Sequence, residues 1–355
     1  MNHRLEALRA KLSEQSLPAL LVMKDPNRIY LSGFTGSSGI LVVTAEAAVL
    51  ITDGRYTEQA TQQAAGFRVV IHTESMVASV KQTLAELGVS RVGFEKDHWT
   101  VSQYETWSKA LAPVELLGVE GLTESLRRVK DGEEIRRMRQ AQAITDQAFR
   151  HILGFIQPGM KETDVALELE YTMKKLGAED LAFETIAASG PRSALPHGRA
   201  SDRVLENGDL LTLDFGCMYQ GYCSDMTRTV MIGEPNDKQR EIYDIVLQAQ
   251  LAGVAAVGPG VSGRDVDRAC REVITAHGYG EAFSHSTGHG VGLLIHEGPA
   301  ASVRSEDILQ PGVMVTIEPG IYIAGFGGVR IEDLVLVTES GHDVLGNSPK
   351  DLIIL

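Results

Sequence analysis

Apolar positions along the chain switch between helical spacing and short continuous runs. Leu5, Leu8 and Leu12 fall on one side of an amphipathic helix over residues 1–15. LPALLVM, residues 17–23, predicts a buried strand, whereas DPNRIYLSGFTGSSG, residues 25–39, predicts a turn-rich loop carrying Tyr30 and Phe34. Residues 39–54 hold two apolar runs joined by a short polar connection, a hairpin-like unit. Helices from Tyr56 to Ala65 and from Val77 to Leu87 then alternate with strands from Phe67 to Ile71 and from Arg91 to Phe94. Such alternation predicts an α/β domain, placed at residues 1–125. From Leu126 to Phe149 the chain is densely charged and helical, with Ile135, Met138, Ala141 and Ile144 as a partial apolar stripe. That helix opens a second domain, residues 126–355, and its charge run is a solvated face rather than a site.

The second domain repeats itself. Residues 156–177 resemble residues 257–278, with Pro158 and Pro259 101 positions apart, and each copy runs from a Pro-Gly turn through about four helical turns to a glycine. A histidine loop follows each helix: SALPHGRAS with His197 in the first copy, SHSTGHGVGLLIHEGP with His285, His289 and His296 in the second. LENGDLLTLDFG (205–216) and LQPGVMVTIEPG (309–320) come next, with Gly208 and Gly312, Asp214 and Glu318, and Gly216 and Gly320 each 104 positions apart. Each copy reads as a turn, a short apolar run, a carboxylate and a glycine, and then reaches a second acid, Asp225 or Glu332. Two related α+β units facing each other across a pseudo-two-fold would gather four carboxylates in one cleft.

Carboxylates at the ends of buried strands are costly unless a cation holds them. If Asp214 and Asp225 flank a hairpin, its midpoint falls between Tyr219 and Gln220, beside Gly221; Glu318 and Glu332 are centred on Gly325. Residues equidistant from such a turn face each other, so each pair can reach a common point. A single acidic pair would be read as ordinary surface; two matched pairs at a constant offset point to metal. Four carboxylates with one or two imidazoles form a hard site whose charge two divalent ions would bring near neutral, Mn²⁺ or Co²⁺ first and Zn²⁺ next. Paired ions of this kind activate a water, so hydrolysis is the expected chemistry. The Gly288-His289-Gly290 setting allows close backbone approach, but spacing alone does not choose among the histidines.

Bulk properties narrow the classes. The chain has 355 residues, 43% hydrophobic and 23% charged, which suits a globular protein of one large or two smaller domains. A net charge of −14 leaves no basic surface for nucleic acid. No apolar run nears the ~20 residues that span a bilayer, and the charged start MNHRLEALRAKLSEQ has no signal core. Cys217, Cys223 and Cys270 are too few and scattered for a disulfide framework or a zinc site, and read as small buried apolar groups. A cytoplasmic protein with no membrane partner is expected.

The set TLDFG, SDMTRT, HSTGHGVG, TIEPGIY and GVRIED resembles the pita-bread metallopeptidases, which include prolidases, aminopeptidases P and methionine aminopeptidases. The likeness runs from about Arg127 to the C-terminus, and NRIYLSGFTGSSG and LITDGRYTEQA resemble the small creatinase-like domain of the proline-specific branch. The resemblance implies an α/β N-terminal domain serving substrate access and dimerisation, and an α+β pseudo-two-fold pita-bread domain. It implies that Asp214 binds one metal, that His289 and Glu318 bind the other, and that Asp225 and Glu332 bridge both. Glu318 would be the general base, His197 a substrate contact, and His285 and His296 oxyanion and substrate-carbonyl stabilisers. Arg330 would order the site and meet substrate carboxyl groups, or serve as a counter-charge for the acids. Leu294-Ile295 departs from relatives that place an acid at the first of these positions, so fine specificity is expected to differ.

Methionine aminopeptidases resemble only the C-terminal half, creatinase-type relatives work without metal, and a binding protein on this fold would have lost ligands. The expected function is therefore a dinuclear exopeptidase acting on Xaa-Pro bonds. The weakly charged FTGSSG loop is ill suited to clamp a carboxylate, which favours the aminopeptidase P type over the Xaa-Pro dipeptidase. The family's habit of reaching across a dimer makes a homodimer the expected state.

Overall fold

The structure, a computed structural model, describes residues 3–355; the first two residues of the expected N-terminal helix lie outside that range. The chain divides into two compact units, Met1–Arg127 and Arg128–Leu355. In the first, α1 (His3–Glu14) precedes β1 (Ala19–Val22), α2 (Asp25–Ser32), β2 (Ile40–Thr44), β3 (Ala48–Thr52), α3 (Thr57–Gln63) and β4 (Arg68–Ile71). Then come α4 (Met76–Glu86), β5 (Arg91–Glu95), α5 (Val101–Leu111), β6 (Glu115–Val119) and α6 (Leu122–Arg127). The strands form one sheet in the order β4-β3-β2-β1-β5-β6. β2 runs antiparallel to both neighbours and the remaining pairs are parallel. β1 and β3 are buried along their whole length, as in a sheet covered on both faces.

Two expectations for this part of the chain are corrected. Residues 25–32 are helical rather than looped: Pro26 sits in the first turn, where its missing N–H costs nothing, and Gly33, at φ +77°, closes the helix by donating to the Ile29 carbonyl. The charged segment from Leu126 is not one helix, because Asp131 caps a new one. Its carboxylate accepts from the Glu133 and Glu134 amides while the Glu134 side chain accepts from the Asp131 amide.

The second unit begins with α7 (Gly132–Leu153) and α8 (Glu162–Lys175), then β7 (Asp180–Leu181), β8 (Ile186–Ser189), β9 (Asp209–Phe215), β10 (Cys217–Tyr219), β11 (Tyr222–Cys223) and β12 (Met226–Ile232). Its later half holds α9 (Asp237–Ala256), α10 (Gly263–Ala276), β13 (Gly288–Gly290), β14 (Glu297–Ala301), β15 (Met314–Ile317), β16 (Gly320–Ile323), β17 (Gly327–Arg330), β18 (Asp333–Thr338) and β19 (Gly341–Val344). The halves match element by element. α8 and α10 are both 14 residues long and start 101 positions apart, and the strand order β8-β9-β12 is echoed by β13-β15-β18. Each half has its own apolar core. Leu169, Met173, Leu211, Leu213 and Val230 fill one, and Val246, Val266, Ile274, Val315 and Val335 fill the other.

The registers of the two hairpins differ. Tyr219 pairs with Tyr222, so the first turn is Gln220–Gly221, with φ of 48° and 80°. Two successive positive φ values define the two-residue turn that suits strand twist. Its centre lies one residue beyond the expected midpoint, and Asp214 faces Thr227 instead of Asp225. In the second hairpin Ile323 pairs with Gly327 and Ile317 with Asp333, all symmetric about Gly325, so Glu318 and Glu332 do fall opposite each other.

Candidate metal centre

The four acids sit where strands end. Asp214 is the next-to-last residue of β9 and Asp225 immediately precedes β12, while Glu318 follows β15 and Glu332 precedes β18. Asp225 and Glu332 are 4% and 1% exposed. Burial first, and then the neighbouring acids, raise both carboxyls well above the ordinary range. Burial likewise pushes Glu318 up to about 8, with Arg330 opposing the rise.

His289 reaches the cluster from β13. A Cβ on Gly288 would lie 1.8 Å from the Thr316 carbonyl oxygen, and one on Gly290 would lie 2.3 Å from the Gly298 carbonyl oxygen. Only glycine on both sides lets this strand enter the sheet. His289 Nδ1 lies 3.0 Å from the Gly290 carbonyl oxygen, which makes Nδ1 the protonated nitrogen. Nε2 is then a lone pair, 3.6 Å from Asp225 Oδ2 and 3.5 Å from Glu318 Oε1. These contacts are not ion pairs, because burial pulls the imidazole down to about 4 and leaves it neutral.

A neutral nitrogen lone pair facing charged carboxylates is repulsive unless a cation or a proton lies between them. Ligating atoms of Asp225, His289 and Glu332 all fall within 4.8 Å of one another. Asp214 adds a buried Oδ1 that has no hydrogen-bond partner among the described residues. A buried carboxylate oxygen without a partner, on the same cavity as a neutral imidazole, belongs to a donor set that suits a divalent cation, so these residues fit the expected metals.

Arg330 is the cation built into the cluster. Its Nη2 donates to Asp214 Oδ2 at 2.7 Å, Nη1 to the Tyr322 hydroxyl at 2.8 Å and to the Pro196 carbonyl at 3.1 Å, and Nε to Thr227 Oγ1 at 3.1 Å. Thr227 in turn donates to Glu332 Oε2 at 2.7 Å. One arginine therefore supports a ligand candidate from each half. Thr227 and Tyr322 were not singled out from the sequence, although each lies inside a quoted motif, SDMTRT and TIEPGIY. The signal lay in their closeness to the acids: Thr227 is two residues after Asp225 and Tyr322 four after Glu318.

All nine predicted residues, His197, Asp214, Asp225, His285, His289, His296, Glu318, Arg330 and Glu332, line one cavity of about 570 Å³. His197 and His296 are exposed on its wall, and the His296 ring lies edge-on to His289 with centroids 4.3 Å apart. His285 is half-buried and both its nitrogens are engaged, Nδ1 with the Ser286 carbonyl and Nε2 with the Tyr322 hydroxyl, each at 2.8 Å. Burial lowers it to about 4, so Tyr322 is the donor in that pair. Of the Leu294-Ile295 pair, Ile295 lines the cavity and Leu294 does not. Cys217, Cys223 and Cys270 are free and buried.

Comparison with known proteins agrees with this geometry. The family model for metallopeptidase family M24 matches residues 136–339, and that for the Creatinase/Prolidase N-terminal domain matches residues 4–129. The chain is 40% identical over 354 residues to the Xaa-Pro dipeptidase of Pyrococcus horikoshii, covering 99% of each sequence. The solved Xaa-Pro dipeptidase from Bacillus anthracis superposes with a TM-score of 0.98 at 48% identity, over 99% of both chains. The X-Pro aminopeptidase from Thermotoga maritima superposes at 0.92 with 41% identity, over 97% of this chain and 99% of that one.

Proposed function

The chain belongs to metallopeptidase family M24, and from that premise we propose a dinuclear metal-dependent exopeptidase that hydrolyses the Xaa-Pro bond, with Xaa-Pro dipeptides as substrates. The observation that carries the reading is the convergence of four carboxylates and a neutral imidazole on one cavity, with Asp214 Oδ1 buried and unpartnered. The names of the Pyrococcus and Bacillus relatives supply the proline specificity and the dipeptide. The aminopeptidase P type, taking longer peptides, is the second reading, favoured by the Thermotoga relative and by the FTGSSG loop.

Asp214, Asp225, His289, Glu318 and Glu332 would hold two divalent ions, with Mn²⁺ as the first metal and Co²⁺ or Zn²⁺ as alternatives. Such ions supply polarisation of the scissile carbonyl and a lowered pKa of the attacking water. Glu318, with Oε1 accepting from Thr316 Oγ1 at 3.2 Å, takes the water proton and returns it to the leaving imino nitrogen. His197 and His296 contact the substrate from the wall. His285 faces the cavity as an oxyanion-side histidine, and the Tyr322 hydroxyl, donating to its Nε2, fixes the ring. Arg330 keeps Asp214 oriented, and its buried nitrogens favour support over direct substrate contact.

Among the described residues no helix is long and apolar enough to cross a membrane. A cytoplasmic homodimer, with the N-terminal domain expected at residues 1–125 serving substrate access and dimerisation, completes the proposal. The test is hydrolysis of a Xaa-Pro dipeptide beside a Xaa-Pro-Xaa tripeptide, with added Mn²⁺ and after chelation. Metal-dependent cleavage with the dipeptide preferred is expected. Preference for the tripeptide would establish the second reading, and inertness of both with every divalent metal would return the binding-protein reading.

A further inference from the structure

Two charged residues on the cavity wall take no part in the ligand cluster, Glu184 and Arg199. Arg199 lies two residues beyond His197, and its backbone is fixed. Its amide donates to the His197 carbonyl at 2.9 Å, its carbonyl accepts from Arg192 Nη2 at 2.6 Å, and it bridges to Ile186 at the start of β8. The side chain is 74% exposed, and Nε stands 2.9 Å from Glu184 Oε2. Its Nη1 and Nη2 make no hydrogen bond with any described residue.

The other arginine on this wall is different. Arg330 is 3% exposed and all three of its guanidinium nitrogens are engaged. A small anionic group entering the cavity therefore finds, among the described residues that line it, one available guanidinium, that of Arg199. A guanidinium offers two parallel N–H bonds along an edge, matched to the two oxygens of a carboxylate. With Nε turned to Glu184, the Nη1/Nη2 edge is the one left to a ligand.

Resting on the peptidase reading above, we propose that Arg199 reads the free C-terminal carboxylate of the substrate, with Glu184 holding the guanidinium so that its outer edge faces the cavity. A Xaa-Pro dipeptide carries that carboxylate on the proline itself, whereas a longer peptide places a neutral amide there. The pair is thus a specificity element that selects dipeptides, and it acts on binding rather than on bond cleavage.

The experiment compares the Mn²⁺-loaded wild type with Arg199→Ala on Ala-Pro and on its C-terminal amide. A lost charge-assisted bond at a partly solvated site should raise KM for Ala-Pro about tenfold, with kcat nearly unchanged and the amide unaffected. Arg199→Lys, which keeps the charge without the fork, should fall between. The double variant Glu184→Gln/Arg199→Ala should keep the selective loss; if it returns to wild-type KM, Arg199 only masks Glu184 and the proposal is overturned. Equal losses on both substrates, or none on either, also overturn it. A wild-type enzyme that cleaves neither substrate overturns the peptidase reading itself, an outcome distinct from the others.

Discussion

Around Gln220–Gly221 the first hairpin sets Asp214 against Thr227 and leaves Asp225 beyond the end of the β9–β12 ladder. Around Gly325 the second hairpin sets Glu318 against Glu332, between two ladders that share one centre. The first hairpin thus offers shorter aspartates from staggered positions, and the second offers longer glutamates from facing ones. The flanking third strand differs too. β13 brings His289 to the cluster, whereas β8, in the matching place, contributes the wall residue Ile186, and the first half's own histidine, His197, stands in an exposed loop. A duplicated scaffold has diverged, with one half bringing a histidine into the acid cluster and the other placing its histidine on the cavity wall. Arg330 and Thr227 tie the two together.

The largest effect expected from breaking this arrangement is that of Glu332→Ala. Loss of the proposed shared ligand should lower kcat by roughly a thousandfold or more. The metal-free variant should melt no lower than the metal-free wild type, since a buried carboxylate among like charges costs stability. Full activity in a metal-replete assay would remove Glu332 from the ligand set.

His197→Ala tests the division itself. Turnover should fall by about a hundredfold, the scale of a lost transition-state donor, while bound metal measured by elemental analysis stays at the wild-type level. Loss of metal in this variant would move His197 into the ligand shell and erase the asymmetry between the halves.

Stability against pH should reveal the acids. Glu318 is raised to about 8 from an ordinary 4.5, so its contribution is fully present below about 4.5 and is lost as pH rises through 8. His285 and His289, lowered to about 4, act in the opposite sense, but only below their ordinary 6.5. Between pH 6.5 and 8 the acids alone matter. The metal-free protein should melt at progressively lower temperature across that window, with the Mn²⁺-loaded protein nearly level. A flat metal-free profile would contradict the burial of the acids.

The smallest effect separates turn chemistry from site chemistry. Gly221→Ala and Gly325→Ala each place an L-residue at positive φ, 80° and 76° respectively, with no close atom in the way. Each should cost about 1–2 kcal/mol in a denaturant titration and leave kcat largely intact. A large loss of activity for one turn alone would mean that its register, rather than the ligand identity, positions the acids.

Much of the fold was legible. The 101- and 104-residue offsets identified the duplicated helices and carboxylate strands, because repeated burial demands the same apolar periods in both halves. The alternating runs of the first unit located most of its strands. The misses have local causes. The α2 helix hid behind turn-forming residues, although Asp25-Pro26 and Gly33 are also a helix start and stop. No apolar run announced α5, yet Thr100 and Gln103 form a reciprocal cap at its start. The midpoint of Asp214 and Asp225 falls one residue short of the true turn because the two aspartates do not face each other, and Gln220, unlike glycine, gives no sign that it adopts positive φ.

By itself the sequence determined which residue types the site would contain, since carboxylates at the ends of apolar strands have few stable alternatives to cation binding. Tertiary structure alone decided how they meet: which acid faces which, that His289 presents Nε2, that Arg330 is spent on Asp214 and Tyr322, and that Arg199 stands against Glu184 on the cavity wall. Residue identity follows from composition and period, which are local. Orientation follows from register, and from which neighbours satisfy each polar group, and those are set only when distant segments pack.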